Sequence, residues 1–177
     1  MKEKNKIIKE VLYWVKYLAI LFVFAVIINN FIIVNAVVIS SSMEATVMTD
    51  SRIIGSRLTY AISEPKRFDI ILFKFPDDET REPFLKRIIG LPNEKVEIKN
   101  GKVYINDSDI PLDDSFIKEE SWGNYGPFIV PADSYFVLGD NRNNSHDSKD
   151  WVNKFVSKDK ILGKIYAEYF PAPKLFD

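Results

Sequence analysis

The sequence predicts a mainly β protein, with a small antiparallel β-sheet domain behind one N-terminal transmembrane helix. Three observations lead to this fold class. The chain carries no charge from Tyr17 to Met43. After Ser40 the apolar residues stop following a helical pattern and begin to alternate with polar ones. Finally, Asn100-Gly101 joins two alternating runs, VEIK and KVYI, as in a type I′ hairpin. The predicted organisation is a basic cytoplasmic tail, a transmembrane helix and an extracytoplasmic β-rich domain, over residues 1–16, 17–36 and 37–177.

The uncharged run is long enough to cross a membrane. As a helix, Tyr17 to Val34 would be about 27 Å long at 1.5 Å per residue, close to the hydrocarbon thickness. Lysines precede the run and the first charge after it is Glu44, which predicts a cytoplasmic N-terminus and an outer C-terminal domain. A cleaved signal peptide would be shorter and would exit through an Ala-x-Ala-like site. A buried core helix is the other alternative, but a helix that is apolar on every face suits lipid better.

Short segments after the anchor are predicted to be strands. They are rich in β-branched and aromatic residues and are bounded by Pro, Gly, Asp or Asn. Besides the hairpin, they are RIIGSRLTY, FDIILFKF, PFLKRII, SYFVLGD and GKIYAEYF. VSKDKILG is predicted to form one short helical turn, Asp107 to Gly126 a long connection, and the residues around Asp78 a hairpin tip. The domain of roughly 140 residues can hold two small sheets.

The composition excludes several kinds of site. The absence of cysteine excludes cysteine-protease and zinc-thiolate chemistry, although it leaves the redox compartment open. With His146 as the single histidine, a histidine-rich metal site is implausible, and we expect neither a metal nor a cofactor. The net charge of −1 gives no indication of nucleic-acid binding.

A run of three serines, Ser40 to Ser42, lies where the chain leaves the predicted anchor. Serine runs are typical of solvated linkers. However, Met43, Ala45, Val47 and Met48 give this segment an apolar face. Composition alone therefore leaves both a linker and a serine nucleophile open.

Lys86 is predicted to lie on an apolar strand face. Alternate strand residues share a face, which places Lys86 beside Phe84 and Ile88. Desolvation lowers the pKa of such a lysine, and a neutral lysine can act as a general base for a hydroxyl group. Alternatively, its stem packs on the sheet while the ammonium group reaches water. The pattern does not decide between these interpretations.

The polar segment Leu138 to Trp151 follows a predicted strand and is dense in residues that bond their own backbone, which predicts a rigid loop. Its spacing does not fit a calcium loop, because Arg142 stands where a ligand is needed. A Ser/His/Asp triad that uses His146 and Asp147 is disfavoured, since adjacent residues point in different directions.

Taken in order, these segments resemble the type I signal peptidases, membrane-bound Ser/Lys proteases that remove signal peptides from exported proteins. The family pattern has an anchor, Ser-x-Ser-Met-x-Pro-Thr, a Gly-Asp-Ile-Val-like strand, Lys-Arg-x-x-Gly-Leu-Pro-Gly-Asp and Gly-Asp-Asn-Arg-x-x-Ser-x-Asp-Ser-Arg. The corresponding segments here are SSSMEAT, FDIILF, KRIIGLPNE and GDNRNNSHDSK. A lysine in the third motif and a single anchor are similar to the compact Gram-positive form.

The resemblance implies a role for each matching residue. Ser42 corresponds to the nucleophile, Lys86 to the general base, and Ser40 to the hydroxyl that completes the oxyanion hole with the Ser42 N–H. The implied supporting residues are Ser145, which positions the lysine, the pair Asp140 and Arg87, and Asp147 beside the site. The implied walls of the substrate pockets are Ile39, Met43, Val47, Phe84 and Leu85. Small apolar pockets of this kind imply cleavage after Ala-x-Ala, with extended substrate along a sheet edge.

The chain departs from the family pattern at a few positions. Ser41 stands in place of Gly, Ala45 in place of Pro, Phe68 in place of Gly and Lys149 in place of Arg. We expect Ala45 to loosen the turn after the nucleophile, and Lys149 to replace a bidentate pair with a point-charge contact.

The implied partners are the signal peptides of exported preproteins, membrane lipid and a nearby secretion translocon. Trp122 and Trp151 are candidates for seating the domain at the lipid surface. Two alternative functions fit part of this pattern. A self-processing Ser/Lys protease would carry a DNA-binding domain in place of the anchor. An inactive membrane-tethered binding domain would lack Ser42, Lys86 or both.

Overall fold

The computed structural model describes residues 2–176 and divides the chain into two compact units, which meet between Ile33 and Val34. The first unit is helix α1, Lys2–Ile27, which continues into a π-helical turn, Ile28–Ile32. Helical structure thus includes the basic tail, because lysine and glutamate are good helix formers. From Lys6 to Ile32 the helix is long and apolar enough to cross a membrane.

The helical segment ends before the predicted boundary at residue 36. Strand β1, Ile33–Val37, follows the π-helical turn directly. The physical reason is that Val34 is buried in a hydrophobic core of the second unit, and that β-branched residues favour strands. The sequence pattern could not show this change, because the apolar run continues through it.

The larger sheet of the described residues has eight strands, in the order β1-β2-β10-β3-β4-β8-β9, with β11 on β10. The pairs from β2–β10 to β8–β9 are antiparallel. The strands after β1 are β2 Arg52–Ser56, β3 Ile70–Phe73, β4 Phe84–Gly90, β8 Ser134–Leu138, β9 Val156–Ser157, β10 Ile161–Phe170 and β11 Lys174–Leu175. The mainly β prediction for this unit is confirmed.

The smaller sheet has three described strands in the order β6-β5-β7. They are β5 Lys95–Lys99, β6 Lys102–Ile105 and β7 Tyr125–Ile129. The predicted hairpin is confirmed, since Asn100 and Gly101 have φ angles of 50° and 76°. A side chain at Gly101 would collide with the backbone oxygen of Ser121. Strand β7 was not predicted: its first two residues, Tyr125 and Gly126, fall within the predicted connection, and no element was predicted for residues 127–129.

The extent of β2, a short 3-10 turn and the burial of two tryptophans bear on local predictions. The predicted strand RIIGSRLTY is too long: β2 ends at Ser56, and Thr59–Ile62 form a short helix, α2. The short turn predicted in VSKDKILG is present as a 3-10 turn, Lys158–Lys160. Trp151 is 1% exposed, packed against Phe73 and Phe75, so it does not lie at a lipid surface; Trp122 is 70% exposed.

Candidate active site

The side chains of Ser42 and Lys86 meet in the larger β unit. Nζ of Lys86 lies 2.5 Å from Oγ of Ser42, and both residues are buried. Lys86 is on β4, an inner strand between β3 and β8. Ser42 is in a 3-10 turn, Ser41–Met43, and its Oγ also lies 3.3 Å from the hydroxyl oxygen of Ser40. A hydroxyl group beside an amine with little water around it is suited to nucleophilic catalysis.

Burial sets the protonation behaviour of Lys86. Desolvation lowers the pKa of Lys86 to about 8, from an ordinary value of 10.5. The charges of Asp147 and Asp140 act in the opposite direction, while Lys149 adds to the lowering of the pKa. Because the pKa lies near neutrality, a substantial fraction of the amine is uncharged in mildly alkaline solution and can accept the Ser42 proton.

This pKa predicts how activity and stability depend on pH. The value of kcat/KM should fall as pH drops through about 8, where Lys86 becomes protonated. Between about 8 and 10.5 the unfolded chain binds more protons at this lysine than the folded chain does. The free energy of unfolding should therefore gain a contribution from Lys86 that increases with pH over this window.

Peptide cleavage and urea unfolding at a series of pH values measure both effects. His146→Ala should leave the acid limb in place. A rate that still rises beyond pH 10 in the wild type would contradict the lowered pKa.

Residues of the loop after β8 hold the segment that carries Ser42. Nδ2 of Asn141 donates to the backbone oxygen of Ser41 at 3.0 Å. The backbone N–H of Asn141 donates to the backbone oxygen of Ser42 at 3.1 Å. Nδ2 of Asn144 donates to Oγ of Ser41 at 3.0 Å. Neither asparagine was predicted to contact the Ser42 segment, although the density of amide side chains in this loop indicates hydrogen bonds to nearby backbone.

The turn after the nucleophile has a backbone conformation that proline cannot adopt. Ala45 has a φ of 80°, whereas the proline ring fixes φ near −65°. Since a non-glycine residue with left-handed backbone costs about 1–2 kcal/mol, Ala45→Gly should raise the unfolding temperature. Ala45→Pro should lower it, by an amount corresponding to more than about 1 kcal/mol, because the φ of this position is incompatible with the proline ring. Thermal unfolding of both variants tests this, and a stabilising Ala45→Pro would contradict it.

An ion pair lies directly behind the site. Nε and Nη2 of Arg87 donate to the two carboxylate oxygens of Asp140 at 2.9 and 2.6 Å. The guanidinium group also lies over the ring of Phe116, 4.3 Å from its centre. Arg87 is adjacent to Lys86 in sequence, and Asp140 is adjacent to Gly139. The bidentate pair therefore connects β4 at Lys86 to the start of the loop after β8.

Asp147, in the loop after β8, is fully buried. Its Oδ2 accepts from the N–H of Gly139 at 3.0 Å, and its Oδ1 accepts from Nζ of Lys149 at 3.1 Å. Lys149 also donates to the backbone oxygen of Ser145 at 2.8 Å. The contact between Lys149 and Asp147 therefore has the single-point geometry expected for a lysine in place of arginine.

Two further residues of this loop were candidates from the sequence. Ser145 is buried at the site, but its Oγ has no hydrogen-bond partner among residues 2–176, so the implied contact with the Lys86 ammonium is not formed. His146 is exposed, and its ring lies near those of Phe75 and Trp151. Because Lys86 occupies the position beside Ser42, the geometry does not support a triad.

A groove of about 1050 Å³ opens onto Ser42 and Lys86. Its apolar wall consists largely of β1, the residues that follow it and parts of the sheet: Val34, Ala36, Val37, Val38, Ile39, Ile53, Leu72, Phe84, Leu85 and Leu162. Ile39, Phe84 and Leu85 thus line the groove, as implied. Met43 and Val47 do not line it; they are fully buried in the core that underlies it.

The chain matches known proteins over most of its length. The family model described as "Signal peptidase, peptidase S26" matches residues 11–170. A probable signal peptidase I-2 of Synechocystis sp. is 38% identical, with 86% of this chain and 70% of the relative covered. A signal peptidase I of Bacillus amyloliquefaciens is 36% identical, with 96% and 94% covered. A crystal structure of a signal peptidase I from Enterococcus faecalis is 34% identical, covers 58% of this chain and 97% of its own, and has a TM-score of 0.48.

Proposed function

Because this chain belongs to the signal peptidase family, peptidase S26, and is a serine endopeptidase, we propose that it removes N-terminal signal peptides from exported preproteins with Ser42 and Lys86 as its catalytic pair. The single observation that supports this pair best is the 2.5 Å separation of Oγ and Nζ in a buried site. No cofactor enters the proposed reaction.

The first half of the proposed reaction forms an acyl-enzyme. Oγ of Ser42 attacks the carbonyl carbon of the scissile bond while neutral Lys86 takes the hydroxyl proton. The N–H of Ser42 and the hydroxyl group of Ser40 donate to the oxyanion of the tetrahedral intermediate. When the intermediate collapses, the Lys86 ammonium gives its proton to the leaving amine, which is the N-terminus of the mature protein.

The second half repeats these roles with water. A water molecule attacks the ester on Ser42 while Lys86 takes a proton from that water molecule. Lys86 returns the proton to Oγ of Ser42 when the ester breaks. The ion pair of Arg87 with Asp140 and the buried Asp147 hold the strand and loop on either side of Lys86 in place. Such supporting contacts keep a flexible lysine pointing at its partner.

The groove supports a preference for small residues before the cut. An extended peptide that runs beside β1, an edge strand, would bring alternate side chains against Ile39 and Leu85. Both side chains belong to the apolar wall of the groove that contains Ser42, and an apolar wall suits a small apolar residue such as alanine. Cleavage after Ala-x-Ala follows.

We also propose that α1 anchors the enzyme with its N-terminus in the cytoplasm and its β unit outside. The apolar segment Lys6–Ile32 supports the anchor, and the lysines before Tyr17 support the orientation. This places the site near lipid, where signal peptides emerge, and close to a secretion translocon.

The proposed function is tested by incubating the detergent-solubilised protein with a preprotein and sequencing the new N-terminus. Cleavage directly after an Ala-x-Ala site by the wild type, and none by Ser42→Ala, supports the proposal. Cleavage elsewhere in the preprotein, or by both proteins, contradicts it.

The anchor predicts a difference between two kinds of substrate. Ser42 is only eight positions after Val34, so even a fully extended segment spans at most about 29 Å. Deletion of residues 1–32 should therefore cause a large loss of cleavage of a preprotein in vesicles and a small loss on a short soluble peptide. Both rates are measured on the full chain and the truncated chain. Equal losses would mean that the anchor maintains the site and does not place it.

A further inference from the structure

The lining of the groove changes in chemical character around Ser42. The residues that lead to it along β1 are mainly apolar, as are Ile53 and Leu72. The loop after β8, which contacts Ser41, contributes amide, hydroxyl, imidazole and carboxylate groups to the lining: Asn143, Asn144, Ser145, His146 and Asp150. The charged residues Arg57 and Glu82 also belong to the lining. A peptide that crosses Ser42 would therefore have an apolar wall on one side of the cut and a polar wall on the other.

A hydrogen bond between two side chains joins the two walls, and we name it the Ser41–Asn144 bridge. Nδ2 of Asn144 donates to Oγ of Ser41 at 3.0 Å, one residue before the nucleophile. The neighbouring residue Asn143 anchors the turn, because its Nδ2 donates to the backbone oxygen of Glu120 at 2.9 Å. Without the side chain of Ser41, Asn144 would lose this hydrogen bond.

We propose that the Ser41–Asn144 bridge is a specificity determinant for the first residue of the mature protein, and that it favours a small side chain there. This inference rests on the proposed function. The small substrate residues before the cut lie against the apolar wall. The substrate chain after the cut must therefore pass the polar wall. With glycine at position 41 there would be neither a hydroxymethyl group nor a hydrogen bond to hold Asn144 over this part of the groove. The bridge keeps the side chains of Ser41 and Asn144 in place and narrows the part of the groove that the chain after the cut must pass.

The experiment uses the full-length enzyme in detergent and two pairs of peptides. In one pair only the residue after the cut differs, alanine or phenylalanine; in the other only the residue before the cut differs, alanine or valine. For the first pair, Ser41→Ala and Asn144→Ala should each reduce the wild-type preference for alanine about threefold to tenfold, the range expected for one hydrogen bond. The double variant should change it no further than either single one.

Two controls separate this role from a general loss of structure. Ser41→Thr keeps the hydroxyl group and should retain the wild-type preference. Asn153→Ala, an exposed asparagine outside the groove, should change neither preference. If Ser41→Ala does not fold, Asn144→Ala alone makes the same test from the other side of the bridge.

The outcomes distinguish this inference from the proposed function. If the wild type cleaves none of the peptides, the proposed function is wrong. If it cleaves them and both variants keep the wild-type preference after the cut, the inference is overturned. A change confined to the residue before the cut also overturns it, because the bridge would then act on the apolar wall.

Discussion

Ser42→Ala and Lys86→Ala should each lower kcat about 10⁴-fold to 10⁶-fold, the range found when one member of a catalytic unit is removed. Without Oγ of Ser42 no acyl-enzyme can form. Without Nζ of Lys86 the hydroxyl group loses the amine that accepts its proton; its other side-chain contact within residues 2–176 is the hydroxyl group of Ser40. The double variant should be no slower than the slower single variant, because the two side chains act in the same step. Peptide cleavage in single-turnover conditions measures these rates.

The fold must survive both substitutions for this comparison to be valid. Far-ultraviolet circular dichroism and the unfolding temperature check it. His146→Ala provides the matched control in the same groove. The imidazole ring of His146 lies near Phe75 and Trp151, whereas the basic partner of Ser42 Oγ is the amine of Lys86, so this variant should retain nearly all activity. Additive losses in the double variant, or a large loss in His146→Ala, would contradict the Ser/Lys pair.

Gly139→Ala should lower kcat about 100-fold, since a misplacement of about 1 Å at reacting groups has effects of this size. Gly139 directly follows β8, at the position opposite Lys86 in the register that pairs Arg87 with Leu138. An added Cβ would lie 2.2 Å from Oγ of Ser145 and 2.4 Å from the backbone oxygen of Ser42. The backbone of the nucleophile segment would have to move.

Gly90→Ala is the matched control for this substitution. A Cβ there would lie 2.5 Å from a methyl group of Val96, in a core away from the dyad. It should therefore lower the unfolding temperature but leave kcat of the folded enzyme nearly unchanged. If Gly139→Ala lowered only the unfolding temperature in the same way, close packing at Gly139 would not be what positions Ser42.

Much of the fold could be predicted from local sequence patterns. Asn100-Gly101 specified its hairpin, because few other residue pairs adopt two positive φ angles easily. Strand β1 could not be predicted in the same way. Ile33 and Val34 are as apolar as the residues before them, and only the tertiary contacts of Val34 show where the helix ends. Strand β7 was missed because Gly126 and Pro127 are unusual in a strand.

The candidate site shows a similar division. The alternation around Lys86 placed it on a face with Phe84, but left its burial undecided; the structure provides that burial through the loop after β8 and the Ser42 segment. Met43 was implied as a pocket wall, yet it lies in the core, because sequence spacing does not show which side of a curled sheet a residue covers. The contacts of Asn141 and Asn144 depend on residues about 100 positions apart, beyond the reach of local patterns.

The central claim, that the amine of Lys86 activates Ser42, can be tested by replacing that amine chemically. The chain contains no cysteine, so Lys86→Cys introduces a single thiol. The variant is alkylated with 2-bromoethylamine in the unfolded state, which places an amine near the original position, and is then refolded; wild type carried through the same steps is the reference. We predict that the unmodified variant is inactive, that aminoethylation restores cleavage, and that alkylation with neutral iodoacetamide does not. Equal activity of the two alkylated forms, or full activity of the unmodified variant, would contradict a base role for Lys86.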